Sequence, residues 1–501
     1  MDFLADSGTS DFWQELVLNS ILWYDYETFS AEPSSGRIAQ FAAIRTDEYL
    51  AQIGEPVELF CKPCLDCLPD PLACLITGIT PQQAEARGVS EPEFAERVNA
   101  VLAVPGTCIA GFNSIRFDDS FTRFLFYRNF FDPYAHEWQS GNTRWDLLDV
   151  ARYTYALRPT GIEWPTREDG APSFKLTHLT EANGLAHSNA HDALSDVHAT
   201  IALARLIRQR QPKLFDFAYA LRSKNAVRAF LDKEQAKPVL HTSGMFPAVF
   251  GHTTAIAVLG VHPRMANRLI VADLRQDPQQ LLATPVEVLL ELLFTRGEDL
   301  PEGVERPGIK ELHLNRAPLL APLRVLDAAG AARIQLDLDA CQRHFDFIAE
   351  HQAAFSALAR GLYAAEPAPR QVDAEAALYQ GFIADADRAR IVLARAMSPE
   401  KLAQLQTQVQ DARLRELLFR YRARYTPSSL SVEEAARWQE LRASRLLHEE
   451  GGAGMDAQRF FGSIETLRAD PSSTGREWLI LDELEAWGRQ LLQDAGLPSQ
   501  A

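Results

Sequence analysis

The sequence predicts three folded units in series: an α/β domain on a mixed sheet over 21–211, an α+β domain over 212–366 and an all-α domain over 367–501, behind a leader at 1–20. Three observations predict this. At 501 residues the chain is too long for one ordinary core. Up to about residue 210, β-branched and aromatic stretches alternate with segments of helical period. Beyond the Pro-rich joint "AAEPAPRQ" (364–371) the composition becomes almost unbroken helix former.

In the first unit, strands are expected at 21–27, 38–46, 57–61 and 107–112, and helices at 91–104, 119–131, 144–157 and 191–210. Three strands, a helix, a strand and further helices make a mixed sheet. The last helix is apolar nearly all round until Arg205, which places it inside the domain. The unit ends near "RQRQPKLFD", where Pro212 follows a basic helix terminus. In the second unit "TTAIAVLGV" and "RLIVADL" read as strands broken by Gly and Pro. In the third, "LRELLFRYRARY" and "VEEAARWQELRASRLL" read as helices, and no repeat of fixed period is present.

A hydrophobic content of 47% with 23% charged residues belongs to soluble globular proteins. No run of about 18 apolar residues exists, and "MDFLADSGTS" is acidic where a secretory signal is basic and then apolar, so a cytoplasmic protein away from membranes is expected. The formal charge of −17 opposes a nucleic-acid partner, but residues 1–100 carry 17 acidic against 5 basic side chains, leaving room for a basic groove elsewhere. Cys61, Cys64 and Cys67 have the spacing of a cluster or zinc site, yet no fourth ligand is in view, and reduced thiols on a loop are expected.

The chemistry is concentrated in "ILWYDYETFS". In a strand Asp25 and Glu27 project from one face while Tyr24 and Tyr26 project from the other. Two bare carboxylates side by side repel, and a divalent cation relieves them; all-oxygen ligation favours Mg²⁺, with Mn²⁺ as substitute. Asp118, in "GFNSIRFDD", and Asp196, in "SNAHDALSD", fall where a sheet-edge site recruits them, with Asp119 as competitor for the first role. Five residues on one helix separate side chains by about 140°, so His191 is expected in the loop or first turn and Asp196 inside the helix. His187 reads as structural or solvent-facing.

Asp25-x-Glu27, Asn113-x-x-x-Phe117-Asp118 and His191-x-Ala193-x-x-Asp196, in that order, resemble the three motifs of the DEDDh 3′→5′ exonucleases. "RIAQFAAIRTD", "FYRNFFDPYA", "RWDLLDVAR", "SGMF", "LYQGF" and "LLFRYRAR" extend the likeness to the bacterial exodeoxyribonuclease I family over about 22–425. Cys64, Cys67 and Cys74 fall outside that pattern.

The resemblance implies a ribonuclease-H-like exonuclease domain, an SH3-like middle domain and a helical last domain, in a monomer partly encircling DNA. It implies two Mg²⁺ ions held by Asp25, Glu27, Asp118 and Asp196, with Glu27 and His191 catalytic and His191 the general base. Single-stranded DNA is the implied substrate, 5′-mononucleotides the products, and repair and recombination the setting. Arg123, Tyr134, Trp138, Arg152 and Arg158 match positions near the DNA path or a partner site; Lys175 stands where the family carries an arginine on the backbone and lacks its bidentate fork. Arg158 is the position implied for the acidic tail of the single-stranded-DNA-binding protein. Trp145 and Tyr153 read instead as core. The alternatives are a 3′→5′ exoribonuclease on short RNA and an inactive single-strand-binding scaffold.

Overall fold

The computed structural model describes residues 19–187, 190–365, 372–448, 452–471 and 474–498, so the expected leader lies, except for its last two residues, outside them. The first sheet has the order β3-β2-β1-β4-β5, from β1 (Ile21–Thr28), β2 (Ile38–Thr46), β3 (Gln52–Phe60), β4 (Cys108–Gly111) and β5 (Thr143–Asp146). β1 to β3 pair antiparallel, while β4 and β5 run parallel to β1, giving the mixed sheet expected. β5 was not foreseen. Its residues run without a break into α2 (Leu147–Leu157), because Asp146 ends the strand and caps the helix through Leu148 N–H at 3.0 Å. β3 begins earlier than expected, since as an edge strand it is largely exposed and lacks an apolar signature before Val57.

The middle strand, β1, separates two cores. Ile21 and Trp23 face the cluster containing Trp145 and the buried side of α3 (Ala193–Arg210), whereas Leu22, Tyr24 and Tyr26 face Phe41, Phe94 and Phe126. Period-two alternation therefore carries Asp25 and Glu27 onto the α3 side of the sheet. On the opposite side α1 (Asp118–Arg128) brings its first turn to β1.

A second sheet, fully antiparallel, has the order β10-β6-β7-β8-β9, from β6 (Val239–Thr242), β7 (Thr253–Val261), β8 (Arg268–Asp273), β9 (Ile309–His313) and β10 (Leu319–Pro322). It docks on α2, where Tyr153 Oη donates to Leu320 O at 3.0 Å. Trp145 and Tyr153 are buried, as read from the sequence.

From residue 372 the described chain is helical. α4 (Ala412–Tyr425) and α5 (Val432–Leu447) deliver Arg420, Arg424 and Arg445 to a buried junction with the first domain, while α6 (Gly475–Asp494) covers its apolar surface around Leu68 and Ile79. At the junction Arg37 pairs with Glu375 at 2.5 Å and Glu91 at 3.3 Å, Arg424 with Asp66 at 2.6 Å and Arg445 with Asp66 at 2.8 Å. Arg424 and Arg445 also bond Glu375. These guanidiniums hold Asp66 and Glu375 well below the usual carboxylate range against the push of burial. The segment of Cys61, Cys64 and Cys67 is a loop, as expected, and it lies beneath the C-terminal helices, with Cys61 and Cys67 buried.

Candidate active site

The structure brings Asp25, Glu27, Asp118, His191 and Asp196 to one end of the first sheet. Ligand atoms of Glu27, His191 and Asp196 all lie within 4.8 Å of one another. Asp25 stands two residues before Glu27 on the same strand face, and Asp118 accepts a hydrogen bond from Tyr26 N–H at 3.1 Å, which fixes it against the strand between them.

Local sequence explains each placement. Gln40, opposite Glu27 in the β1–β2 register, accepts from Ala193 N–H at 3.4 Å and so ties the start of α3 to the sheet. Asp192 caps α3 through Ser195 N–H at 3.0 Å, putting Asp196 in the first turn. His191, one residue before that cap, adopts a left-handed backbone at φ 64° and is exposed, in the turn rather than the helix, as its spacing implied. Asp146, buried behind the site, accepts from Asn113 N–H at 2.9 Å and Ile115 N–H at 3.2 Å, which shapes the loop leading to Asp118.

Asp118 and Asp119 divide clearly. Asp119 faces away from the cluster, accepts from Tyr24 Oη at 2.7 Å and pairs with Arg144, which holds its carboxyl low. Asp118 has no such cation. Burial and the charge of Asp119 raise it well above the carboxylate range. Burial, then Asp118, Glu27 and Asp196, raise Asp25 in the same way. Burial, then Asp196 and Asp118, push Glu27 up to about 8. Among the described residues Asp25, Glu27 and Asp118 form no ion pair with Lys or Arg. Crowded oxygens without a counter-ion are a donor set that fits a hard divalent cation.

His187, read as structural or solvent-facing, has its Nε2 2.5 Å from Asp196 Oδ1 and its Nδ1 3.2 Å from Thr180 Oγ1, so it orients the carboxylate of Asp196. Nine residues of separation across a turn hid that contact from sequence.

The residues expected along the nucleic-acid path are placed unequally. Lys175 is exposed at the start of the helix Leu176–Ala182. Tyr134 and Trp138 expose 37% and 64% of their surface, unusual for rings of that size. Arg123 is 6% exposed and bound to Glu137 at 2.6 Å, so its guanidinium supports the Glu137–Arg144–Asp119 chain, and it lies over the ring of Tyr134 at 5.4 Å from the ring centre. Arg152 pairs with Asp149 at 2.8 Å and presses on Gly244, so it joins the first domain to the second. Arg158 lies at the same joint, donating to Val325 O at 3.0 Å, with the rest of its side chain exposed.

Three family models match in order: an exonuclease model over 22–204, the exonuclease I SH3-like domain over 222–365 and the exonuclease I C-terminal domain over 372–491. The chain is 46% identical to exodeoxyribonuclease I of Escherichia coli over 85% of its length and 89% of that protein. Among solved structures it superposes on a moderately thermophilic exonuclease I from Methylocaldum szegediense with TM-score 0.88 at 47% identity, covering 94% of this chain and 99% of that one. E. coli exonuclease I in complex with a dA16 oligonucleotide gives TM-score 0.88 at 42% identity, covering 94% of this chain and 100% of that one. With an exonuclease domain on a mixed sheet, an SH3-like domain and a helical C-terminal domain, the chain belongs to the exodeoxyribonuclease I family.

Proposed function

We propose that this 3′→5′ exonuclease degrades single-stranded DNA to 5′-mononucleotides, in repair and recombination, with two Mg²⁺ ions held by Asp25, Glu27, Asp118 and Asp196, or Mn²⁺ in their place. The observation that carries the reading is the convergence of Glu27, His191 and Asp196 within 4.8 Å, beside two further carboxylates that lack a protein cation. In support, relatives have been solved with dA16, with zinc and single-stranded DNA, and as an SSB/exonuclease I assembly. When bound, the cations supply charge neutralisation at the attacked phosphate and at the departing 3′-oxygen.

The chain's own residues do the rest. His191, exposed in the turn before α3, swings over the carboxylates and takes a proton from the attacking water. His187 and Thr180 keep Asp196 from rotating away. Lys175 meets backbone phosphate as a single point charge, and Tyr134 and Trp138 offer faces on which bases stack without regard to sequence. Arg152 and Arg158 line the joint with the SH3-like domain, where Arg158 receives an acidic peptide end of the single-stranded-DNA-binding protein. No helix among the described residues is long and apolar enough to cross a membrane.

Incubating the protein with a 3′-labelled DNA oligomer, with Mg²⁺ and with chelator, tests the proposal. Release of labelled mononucleotide only with the cation supports it. Release that is indifferent to chelator, or faster from the RNA oligomer of the same sequence, overturns it.

A further inference from the structure

The chain turns through Leu65 and Asp66, leaving Cys64 and Cys67 at the two ends of the turn. The Cys64 thiol donates to Asp66 Oδ1 at 2.7 Å, and Cys67, three residues on, lies beside it. Both line a cavity of about 200 Å³ between the first domain and the C-terminal helices, floored by Phe29 and Arg37 and roofed by Met455 and Trp487. Cys61 is turned away from the pair: it is buried, pairs in a bridge with Val89 and directs its sulfur to Lys62 O at 3.6 Å. The trio therefore does not assemble into a three-ligand cluster among the described residues, and Cys64 and Cys67 remain as two thiols lining one cavity.

We propose that Cys64 and Cys67 are a peroxide-sensitive dithiol that closes reversibly to a disulfide, with Cys64 the attacked thiol and Cys67 the resolving one. Hydrogen peroxide, small enough for the cavity, is the oxidant. The Cys64 thiolate attacks one peroxide oxygen, the O–O bond breaks, and hydroxide leaves a sulfenic acid on Cys64. The Cys67 sulfur then attacks the Cys64 sulfur, the S–S bond forms, and the sulfenic oxygen departs as water with the Cys67 proton. A dithiol reductant reverses the step by exchange.

The surroundings favour this order. Cys67 as hydrogen-bond donor, helped by the charges of Arg37 and Arg424, lowers the Cys64 thiol against burial and the Asp66 carboxylate, whereas Cys67 itself and the buried Cys61, Cys74, Cys108 and Cys341 are raised. Asp66, inside the turn, is the anchor of Arg424 and Arg445, so forming the disulfide removes the Cys64–Asp66 hydrogen bond at the point where the C-terminal helices are fastened.

The test treats the full-length protein with hydrogen peroxide and measures intact and peptide masses. Closure lowers the mass by roughly 2 Da, in the peptide joining Cys64 to Cys67, and dithiothreitol restores it. Cys67→Ser stops at the sulfenic acid, which dimedone labels on Cys64. Cys64→Ser yields neither disulfide nor dimedone label at Cys67. Without peroxide, iodoacetamide at neutral pH alkylates Cys64 at least about tenfold faster than the other five cysteines. An unchanged mass at peroxide levels that oxidise a control dithiol overturns the proposal, as does labelling that survives Cys64→Ser or alkylation led by another cysteine. These readouts are masses and rates of thiol reaction, so they stand or fall apart from nuclease activity.

Discussion

At the end of β1 the buried carboxyls of Glu27 and Asp118 crowd half-buried Asp25 with no guanidinium paired to them among the described residues, whereas at the junction Asp66 and Glu375, also buried, sit among Arg37, Arg424 and Arg445. The chemical groups are the same and the consequences opposite. Without a cation the first set is driven toward its protonated form; with three, the second is held ionised. The junction completes its own charge balance and serves attachment. The site leaves its balance open, which destabilises the cation-free fold and makes it ready for a divalent cation.

Removing Asp25 separates the two roles most sharply. Asp25→Ala should drop nucleotide release to background while binding of single strands persists and the melting temperature in chelator stays level or rises, because a repulsive charge has gone. A melting temperature that falls by many degrees indicates that Asp25 is structural glue after all. His191→Ala should slow turnover by roughly a hundred- to ten-thousandfold, the range of a general base, with Mg²⁺ binding retained by calorimetry; a loss under tenfold removes that role.

The junction should respond in the other currency, stability. Glu375→Gln leaves Arg37, Arg424 and Arg445 partly unmatched in a buried setting, and chemical denaturation should show a loss of about 3–5 kcal/mol. Activity per folded molecule should change little. If Glu375→Gln instead abolished turnover with stability intact, the division between the regions would be false.

Much of the site was legible because its signal is local. Asp25 and Glu27 declare themselves by strand alternation, and the His191–Asp196 spacing forbids a shared helix face, so the turn at His191 and α3 beyond it follow from period alone. β5 was hidden because Thr143–Asp146 merges with the pattern of α2, and the first half of β3 because an exposed edge carries few apolar residues. The pairing of Arg123 was hidden for a related reason: an arginine among aromatic residues looks the same whether it faces solvent or Glu137. The junction could not be read at all, since Asp66 meets Arg424 358 residues later and nothing local marks either as paired. His187 lies between these cases. His187→Ala should weaken Mg²⁺ binding or turnover by about 10–100-fold, as loss of a carboxylate's orienting partner does. An unchanged Mg²⁺ titration leaves that contact without consequence.

The smallest effect sharpens the comparison furthest, because the two regions must tilt stability in opposite directions with pH. Glu27 is raised from 4.5 to about 8, so in chelator its contribution is full below about 4.5 and is lost as pH rises through about 8. Asp66 and Glu375 are depressed, so theirs is present above the ordinary carboxylate range and lost only as pH falls through their lower folded values. Between about pH 6.5 and 8 the junction is flat, the buried His136, His241 and His252 are already neutral, and the slope belongs to the raised carboxyls at the site and to Asp146 behind it. Unfolding in urea with chelator should therefore show stability declining as pH rises, by up to about 1.36 kcal/mol per pH unit for each raised carboxyl that stays protonated in the fold. Mg²⁺ at about a hundred times its Kd adds about 2.7 kcal/mol and should cancel the decline, since the cation replaces the proton. Glu27→Gln should make the chelator curve shallower, and Glu375→Gln should lower it without changing its slope. A chelator curve that already rises across this window places the uncompensated charge somewhere other than the end of β1.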